Sequence, residues 1–74
     1  MKEKVLQILQ GVNAAITDGA NLISAGIIDS FDVMTIVMEL EEAFKIEMDV
    51  EDFVPENFES VDRITAVVEK YLNR

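Results

Sequence analysis

Residues 26–44 read GIIDSFDVMTIVMELEEAF and combine a helix-start signal with a long stretch of helical periodicity. Asp29 and Ser30 are both residue types that cap the N-terminus of a helix. At about 100° per residue, one sector of the helix that follows is wholly apolar and comprises Val33, Ile36, Val37, Leu40 and Phe44. This pattern predicts a helix over residues 30–45 whose apolar sector faces the core of the protein.

The same helix has a second apolar sector, more than a quarter turn from the first, which consists of Phe31, Met34 and Met38. We refer to these three residues as the Phe-Met strip. In one interpretation the helix is central and the strip packs against a second neighbour, since methionine fills irregular gaps in cores. In the other interpretation the strip is an exposed contact surface, and the nearby acids Glu41 and Glu42 favour a basic partner.

Two further helices are predicted, one on each side of this one. Apolar residues recur at helical spacing in residues 2–15 and again in residues 61–72, where Ser60 provides an N-cap. The residues that carry the two patterns are Val5, Ile8, Leu9, Val12, Val61, Ile64, Val68 and Tyr71.

The connecting segments also contain structural signals. Residues 17–27, TDGANLISAGI, have two glycines and are typical of a long loop. Four apolar side chains are expected to pin this loop to the core, namely Leu22, Ile23, Ile27 and Ile28. In residues 48–57, MDVEDFVPEN, Asp49 is a candidate N-cap and Pro55 a helix breaker, which leaves room for about one helical turn. The predicted fold is therefore all-α, a small four-helix bundle of three longer helices and one short helix.

The composition limits the classes of function. The chain of 74 residues has 15 acidic and 6 basic side chains, and its net charge of −9 disfavours binding to nucleic acid or anionic lipid. Cysteine and histidine are absent, which excludes disulfides, thiolate metal ligands and a histidine base. No apolar run is long enough to insert into a membrane, and the N-terminal residues are typical of a helix rather than a signal peptide. We therefore expect one cytoplasmic, monomeric domain over residues 1–74, with no metal site and no catalytic residues.

Ser30 has two interpretations. As a cap it would accept a backbone hydrogen bond, which is the usual role of a serine where a loop meets a helix. If Asp29 caps the helix instead, Ser30 becomes the first helical residue and its hydroxyl is free to carry an attached group. A catalytic nucleophile is excluded, because no histidine exists to take its proton. The sequence pattern leaves the structural serine and the attachment site both open.

Residues 25–48, AGIIDSFDVMTIVMELEEAFKIEM, resemble the centre of an acyl carrier protein. The shared pattern is an Asp-Ser pair, a large apolar residue, an acidic amphipathic helix and the sequence LEEAF, and the likeness covers nearly the whole chain. The resemblance implies that Ser30 carries a 4′-phosphopantetheine arm, which a phosphopantetheinyl transferase attaches from coenzyme A in a magnesium-dependent step. It also implies that the thiol of the arm holds acyl or aminoacyl cargo as a thioester. A loading enzyme and downstream transferases with basic docking patches would then be the partners.

Individual residues of this chain match positions that the resemblance marks as functional. Asp29 and Ser30 match the modification motif, and the expected partner-binding residues are Phe31, Asp32, Met34, Met38, Glu41 and Glu42. Two residues depart from fatty-acid carriers: Phe31 stands where leucine is usual, and Thr35 stands where an acid is usual. The sequence GIIDSF is closer to D-alanyl carriers and to stand-alone carriers of specialised pathways.

Two other classes of function are considered. A non-catalytic, acidic helical interaction module without a prosthetic group would use Ser30 only as a cap and the Phe-Met strip to bind a partner helix. A calcium sensor is disfavoured, because residues 49–60, DVEDFVPENFES, lack the glycine and the ligand spacing of an EF-hand loop.

Overall fold

The computed structural model describes residues 1–73 and contains three α-helices and two 3₁₀ helices. In chain order these are α1 (Lys2–Val12), α2 (Ser30–Phe44), a first 3₁₀ helix (Val50–Asp52), a second 3₁₀ helix (Pro55–Phe58) and α3 (Val61–Leu72). The all-α prediction is confirmed over the described residues. The fourth helix is not a single short helix, because two separate 3₁₀ turns take its place. None of the helices in residues 1–73 has the length and hydropathy that a transmembrane span requires.

The predicted ends of the first two helices need correction. Helix α1 ends at Val12 rather than at residue 15, because Asn13 is extended (φ −148°, ψ 113°). The Asn13 side chain stabilises this exit by donating from Nδ2 to the Ile27 carbonyl at 2.9 Å. Helix α2 ends at Phe44 rather than at residue 45, because Lys45 takes a left-handed conformation (φ 56°). The predicted bounds of α3 and its Ser60 cap are confirmed, since the Ser60 hydroxyl accepts from the Arg63 amide at 3.1 Å.

Helix α1 packs against both α2 and α3, and one apolar core lies between them. From α2 the core receives Val33, Ile36, Val37 and Leu40, as the periodicity predicts. Phe44, the fifth member of the predicted sector, is only half-buried, and the Lys4 ammonium lies 5.1 Å from its ring centroid. The core face of α2 is thus almost the one that the sequence predicts.

The loop between α1 and α2 is fixed by the buried residue Leu22. Its carbonyl accepts hydrogen bonds from the amides of Ile27 at 2.9 Å and Ile28 at 3.0 Å, and its own amide donates to the Glu59 carbonyl at 2.7 Å. Gly26 permits the tight return between these residues, because it has a positive φ of 72°. The loop is therefore held both to itself and to the residue before the α3 cap, and it delivers the chain to the start of α2 in a defined position.

The segment that connects α2 to α3, residues 45–60, has a buried residue near each end. Met48 and Phe58 lie in the core, while residues 49–57 between them are half-buried or exposed. Asp49 precedes the first 3₁₀ helix as predicted, although its side chain makes no capping hydrogen bond. Pro55 starts the second 3₁₀ helix rather than merely ending the first, because proline is suited to the first position of a helical turn.

Tyr71, on the last turn of α3, is buried against this connecting segment. Its hydroxyl donates to the Asp52 carboxylate and accepts from the Asp49 amide at 2.9 Å. The Lys70 ammonium lies 5.1 Å from the centroid of the Tyr71 ring. Burial, and next the hydrogen bond to Asp52, raise the pKa of Tyr71 above its usual value of 10.0.

Truncation of Leu40 should cost far more stability than truncation of its neighbour Met38. Leu40 is fully buried, whereas Met38 is 64% exposed. We expect Leu40→Ala to lower the free energy of unfolding by about 2–5 kcal/mol, because it leaves a cavity in the core. We expect Met38→Ala on the same helix to change it by less than about 0.5 kcal/mol. Urea denaturation followed by circular dichroism measures both, and equal losses would contradict the assigned orientation of α2.

Alkaline pH should remove the stabilisation that Tyr71 provides. Because the pKa of Tyr71 is higher in the folded than in the unfolded chain, this contribution is complete below pH 10.0 and is lost as pH rises through the folded-state pKa. Denaturation of the wild type and of Tyr71→Phe from neutral to strongly alkaline pH tests this. The wild type should lose more stability than the variant, and parallel losses would contradict the assignment.

Candidate functional site

The site is built from the first turn of α2, where Asp29 is the N-cap. Its Oδ1 accepts from the Asp32 amide at 3.0 Å, and the Asp32 Oδ2 accepts from the Asp29 amide at 3.1 Å. This reciprocal arrangement is a capping box. The two carboxylates therefore cap the start of α2 by accepting hydrogen bonds from backbone amides, and the Ser30 hydroxyl takes no part in the capping.

Ser30 is the first helical residue and is exposed. Within residues 1–73 its hydroxyl forms no hydrogen bond, so the serine is not used as a cap. The backbone amides of Ser30 and Phe31 lie at the positive end of the α2 dipole and have no intrahelical acceptor. The result is an exposed primary alcohol next to two backbone donors, with two carboxylates held close by.

A groove of about 260 Å³ lies beside Ser30, between the start of α2 and the segment that follows the first 3₁₀ helix. Its lining is mainly apolar and consists of Ile23, Asp29, Ser30, Val33, Met34, Phe53, Val54 and Pro55. Residues 53–55 were not among the site residues that the sequence predicts. The apolar triplet Phe-Val-Pro within an acidic stretch is the signal that could have indicated them.

The Phe-Met strip lies on the surface. Phe31 is 81% exposed, Met34 49% and Met38 64%. The structure therefore supports the exposed-strip interpretation, and the interpretation in which the strip packs against a second helix is wrong. The strip starts next to Ser30 and continues along the outer face of α2.

The predicted acidic partner residues are not equivalent. Asp32 holds the Asp29 amide, as described above, and the Glu41 Oε2 accepts from the Met48 amide at 2.9 Å. Glu42 is exposed and makes no such bond within the described part of the chain. Asp32 and Glu41 therefore stabilise the fold as well as contributing charge to the surface, which the sequence analysis did not foresee.

Comparison with known proteins identifies one family. The family described as "Phosphopantetheine attachment site" matches residues 2–68, a range that includes α1, α2 and the first two turns of α3. No curated protein and no solved structure shows a significant match to the chain. The family match confirms the resemblance that the sequence indicates, and it gives no support to an interaction module without a prosthetic group. The chain therefore belongs to the phosphopantetheine attachment-site family, whose prosthetic group is 4′-phosphopantetheine.

Proposed function

We propose that the protein is a carrier that bears its 4′-phosphopantetheine arm on Ser30. The observation that carries the proposal is the exposed hydroxyl of the first helical residue, left unbonded by the Asp29 cap, in a chain that matches the family over residues 2–68. Carrier domains of this family are generally not catalysts. In the proposal the chain acts as a cytoplasmic monomer that holds acyl or aminoacyl cargo and presents it to enzymes.

The residues around Ser30 suit such an arm. A phosphodiester on the Ser30 oxygen would lie next to the amides of Ser30 and Phe31 at the helix N-terminus, which favours an anion. The carboxylates of Asp29 and Asp32 oppose this effect, but each is already hydrogen-bonded to a backbone amide. The apolar groove offers a surface along which an extended chain can lie. The thiol of the bound arm supplies the thioester chemistry, for which this chain has no cysteine of its own.

Attachment requires the Ser30 hydroxyl to act as a nucleophile once. Its oxygen forms a bond to the phosphorus that bears the pantetheine, the pyrophosphate P–O bond of coenzyme A breaks, adenosine 3′,5′-bisphosphate leaves, and the hydroxyl proton passes to a base. The chain has no histidine, and the nearest carboxylates are engaged in the capping box. We therefore assign the base and the magnesium ion to the phosphopantetheinyl transferase.

We further propose that partner enzymes bind along the outer face of α2. The exposed Phe-Met strip provides the apolar contact, while Glu42, with the outer oxygens of Asp32 and Glu41, attracts basic side chains. Phe31 gives this surface a large aromatic residue directly beside Ser30. This residue, together with Thr35, favours a D-alanyl or specialised-pathway carrier over a fatty-acid carrier.

Modification with coenzyme A should depend on Ser30 alone. The wild type, incubated with a phosphopantetheinyl transferase, coenzyme A and magnesium, should gain the mass of one arm in intact-mass spectrometry. Ser30→Ala should gain nothing, because the accepting oxygen is gone. The matched control is Ser24→Ala, since Ser24 is another exposed serine in the loop before α2. An unmodified wild type, or a modified Ser30→Ala, would refute the assignment.

A charge in the Phe-Met strip should lower the activity of partner enzymes toward this protein without unfolding it. We expect Met38→Glu to reduce the kcat/KM of the transferase or loading enzyme by about tenfold, because it places a carboxylate in an apolar contact. Helicity should stay unchanged, since Met38 is mostly exposed. Ala66→Glu adds the same charge to the exposed face of α3 and should leave activity near that of the wild type. Equal effects of the two variants would show that only net charge matters.

A further inference from the structure

The middle of the connecting segment is only partly held in place by burial. Met48 and Phe58 lie in the core, whereas no residue in 49–57 is fully buried and Phe53 packs only partly against the core. A segment with few buried apolar side chains opens at low free-energy cost unless other interactions hold it. Its position therefore depends on polar contacts in addition to the partial packing of Phe53.

Those polar contacts converge on Asp52. Its carboxylate accepts from the Tyr71 hydroxyl and, at 2.9 Å for each oxygen, from the Lys70 ammonium. Its carbonyl accepts from the Asn57 side-chain amide at 2.9 Å. The Tyr71 hydroxyl also accepts from the Asp49 amide at 2.9 Å, so it binds the segment at two points.

Asp52 directly precedes the wall of the groove. Phe53, Val54 and Pro55 form this wall, opposite Ser30 and the apolar side chains of α2. A displacement of Asp52 would therefore move the wall relative to Ser30. The last turn of α3 thus acts on the groove although neither Lys70 nor Tyr71 lines it.

We propose that Tyr71 and Lys70 form a latch on Asp52 that sets the position of the groove wall. Tyr71 is the central positioning residue, because its hydroxyl joins the Asp52 carboxylate to the backbone of residue 49. The Tyr71 hydroxyl can donate at neutral pH because a tyrosine is protonated there, and burial raises its pKa further. The latch belongs to the unmodified chain, and this proposal does not require Ser30 to carry an arm.

Hydrogen exchange on the unmodified full chain tests the latch. The amides of Asp52, Phe53 and Asn57 report on the segment, because each donates within a 3₁₀ turn to Asp49, Val50 or Val54. In Tyr71→Phe we expect these amides to exchange at least about tenfold faster than in the wild type, as the loss of one or two hydrogen bonds allows local opening. The amides of α1 and α2 should change little.

Two further variants make the result specific. Thr65→Val removes a buried hydroxyl from the same helix, but this hydroxyl bonds to the Val61 carbonyl within α3 and not to the segment. The Thr65→Val variant should therefore leave hydrogen exchange in residues 49–57 unchanged. Asp52→Asn keeps the side-chain shape and an oxygen that can accept from Tyr71, but it removes the charge that pairs with Lys70. Exchange in residues 49–57 should therefore be faster than in the wild type, though less so than in Tyr71→Phe, and this variant covers the case in which Tyr71→Phe fails to fold.

The possible outcomes separate the latch from a general structural role. Unchanged exchange in residues 49–57 of both Tyr71→Phe and Asp52→Asn would overturn the proposal. So would a uniform acceleration of all amides in these variants, since that indicates only global loss of stability. Failure of Ser30 modification would leave the exchange result unaffected, so the two proposals can fail independently.

Discussion

The hydrogen bond from the Asp32 amide to the Asp29 carboxylate fixes where α2 begins, and the rest of the site follows from that position. With Asp29 as the cap, Ser30 is the first helical residue and its hydroxyl is not consumed. The cap is worth only about 1 kcal/mol, whereas truncating the buried Ile36 or Leu40 to alanine typically costs about 2–5 kcal/mol. The core therefore determines which face of α2 is inside, and the cap determines the first residue. Both give the same register, and this agreement leaves Ser30 exposed.

The start of α2 is also held from the other side of the molecule. Leu22 joins the loop to Ile27, Ile28 and the backbone of Glu59, and the Glu59 carboxylate accepts from the Ser24 amide at 3.1 Å. The loop is thus tied to the residue that precedes the Ser60 cap of α3. As a result, the same hydrogen bonds to Glu59 connect the start of α2 with the start of α3, which are distant in sequence. These hydrogen bonds restrain the loop that leads to Ser30.

Local patterns predict part of this structure and miss the part that depends on distant contacts. The bounds of α3 and the core face of α2 are well predicted, because apolar periodicity and a cap define them within one helix. The predicted end of α1 is wrong because Asn13, which ends the helix, bonds to a residue that lies 14 positions further along the chain. The contact between Tyr71 and Asp52 spans 19 residues, and no periodicity indicates it. The apolar triplet of residues 53–55 can be noticed in the sequence, but its position facing the start of α2 depends on such distant contacts and could not be inferred.

The acidic side chains of α2 stabilise the fold and also belong to the proposed docking surface. Asp29, Asp32 and Glu41 each accept a backbone hydrogen bond, so part of the negative charge stabilises turns and caps. Only the remaining charge, with Glu42 as its clearest member, is fully available to attract a basic partner. Truncating Glu41 to alanine would remove the acceptor of the Met48 amide and a surface charge at the same time. Changes to the acids of α2 therefore identify a docking surface only when stability is measured alongside, because the same carboxylates bind the chain's own backbone.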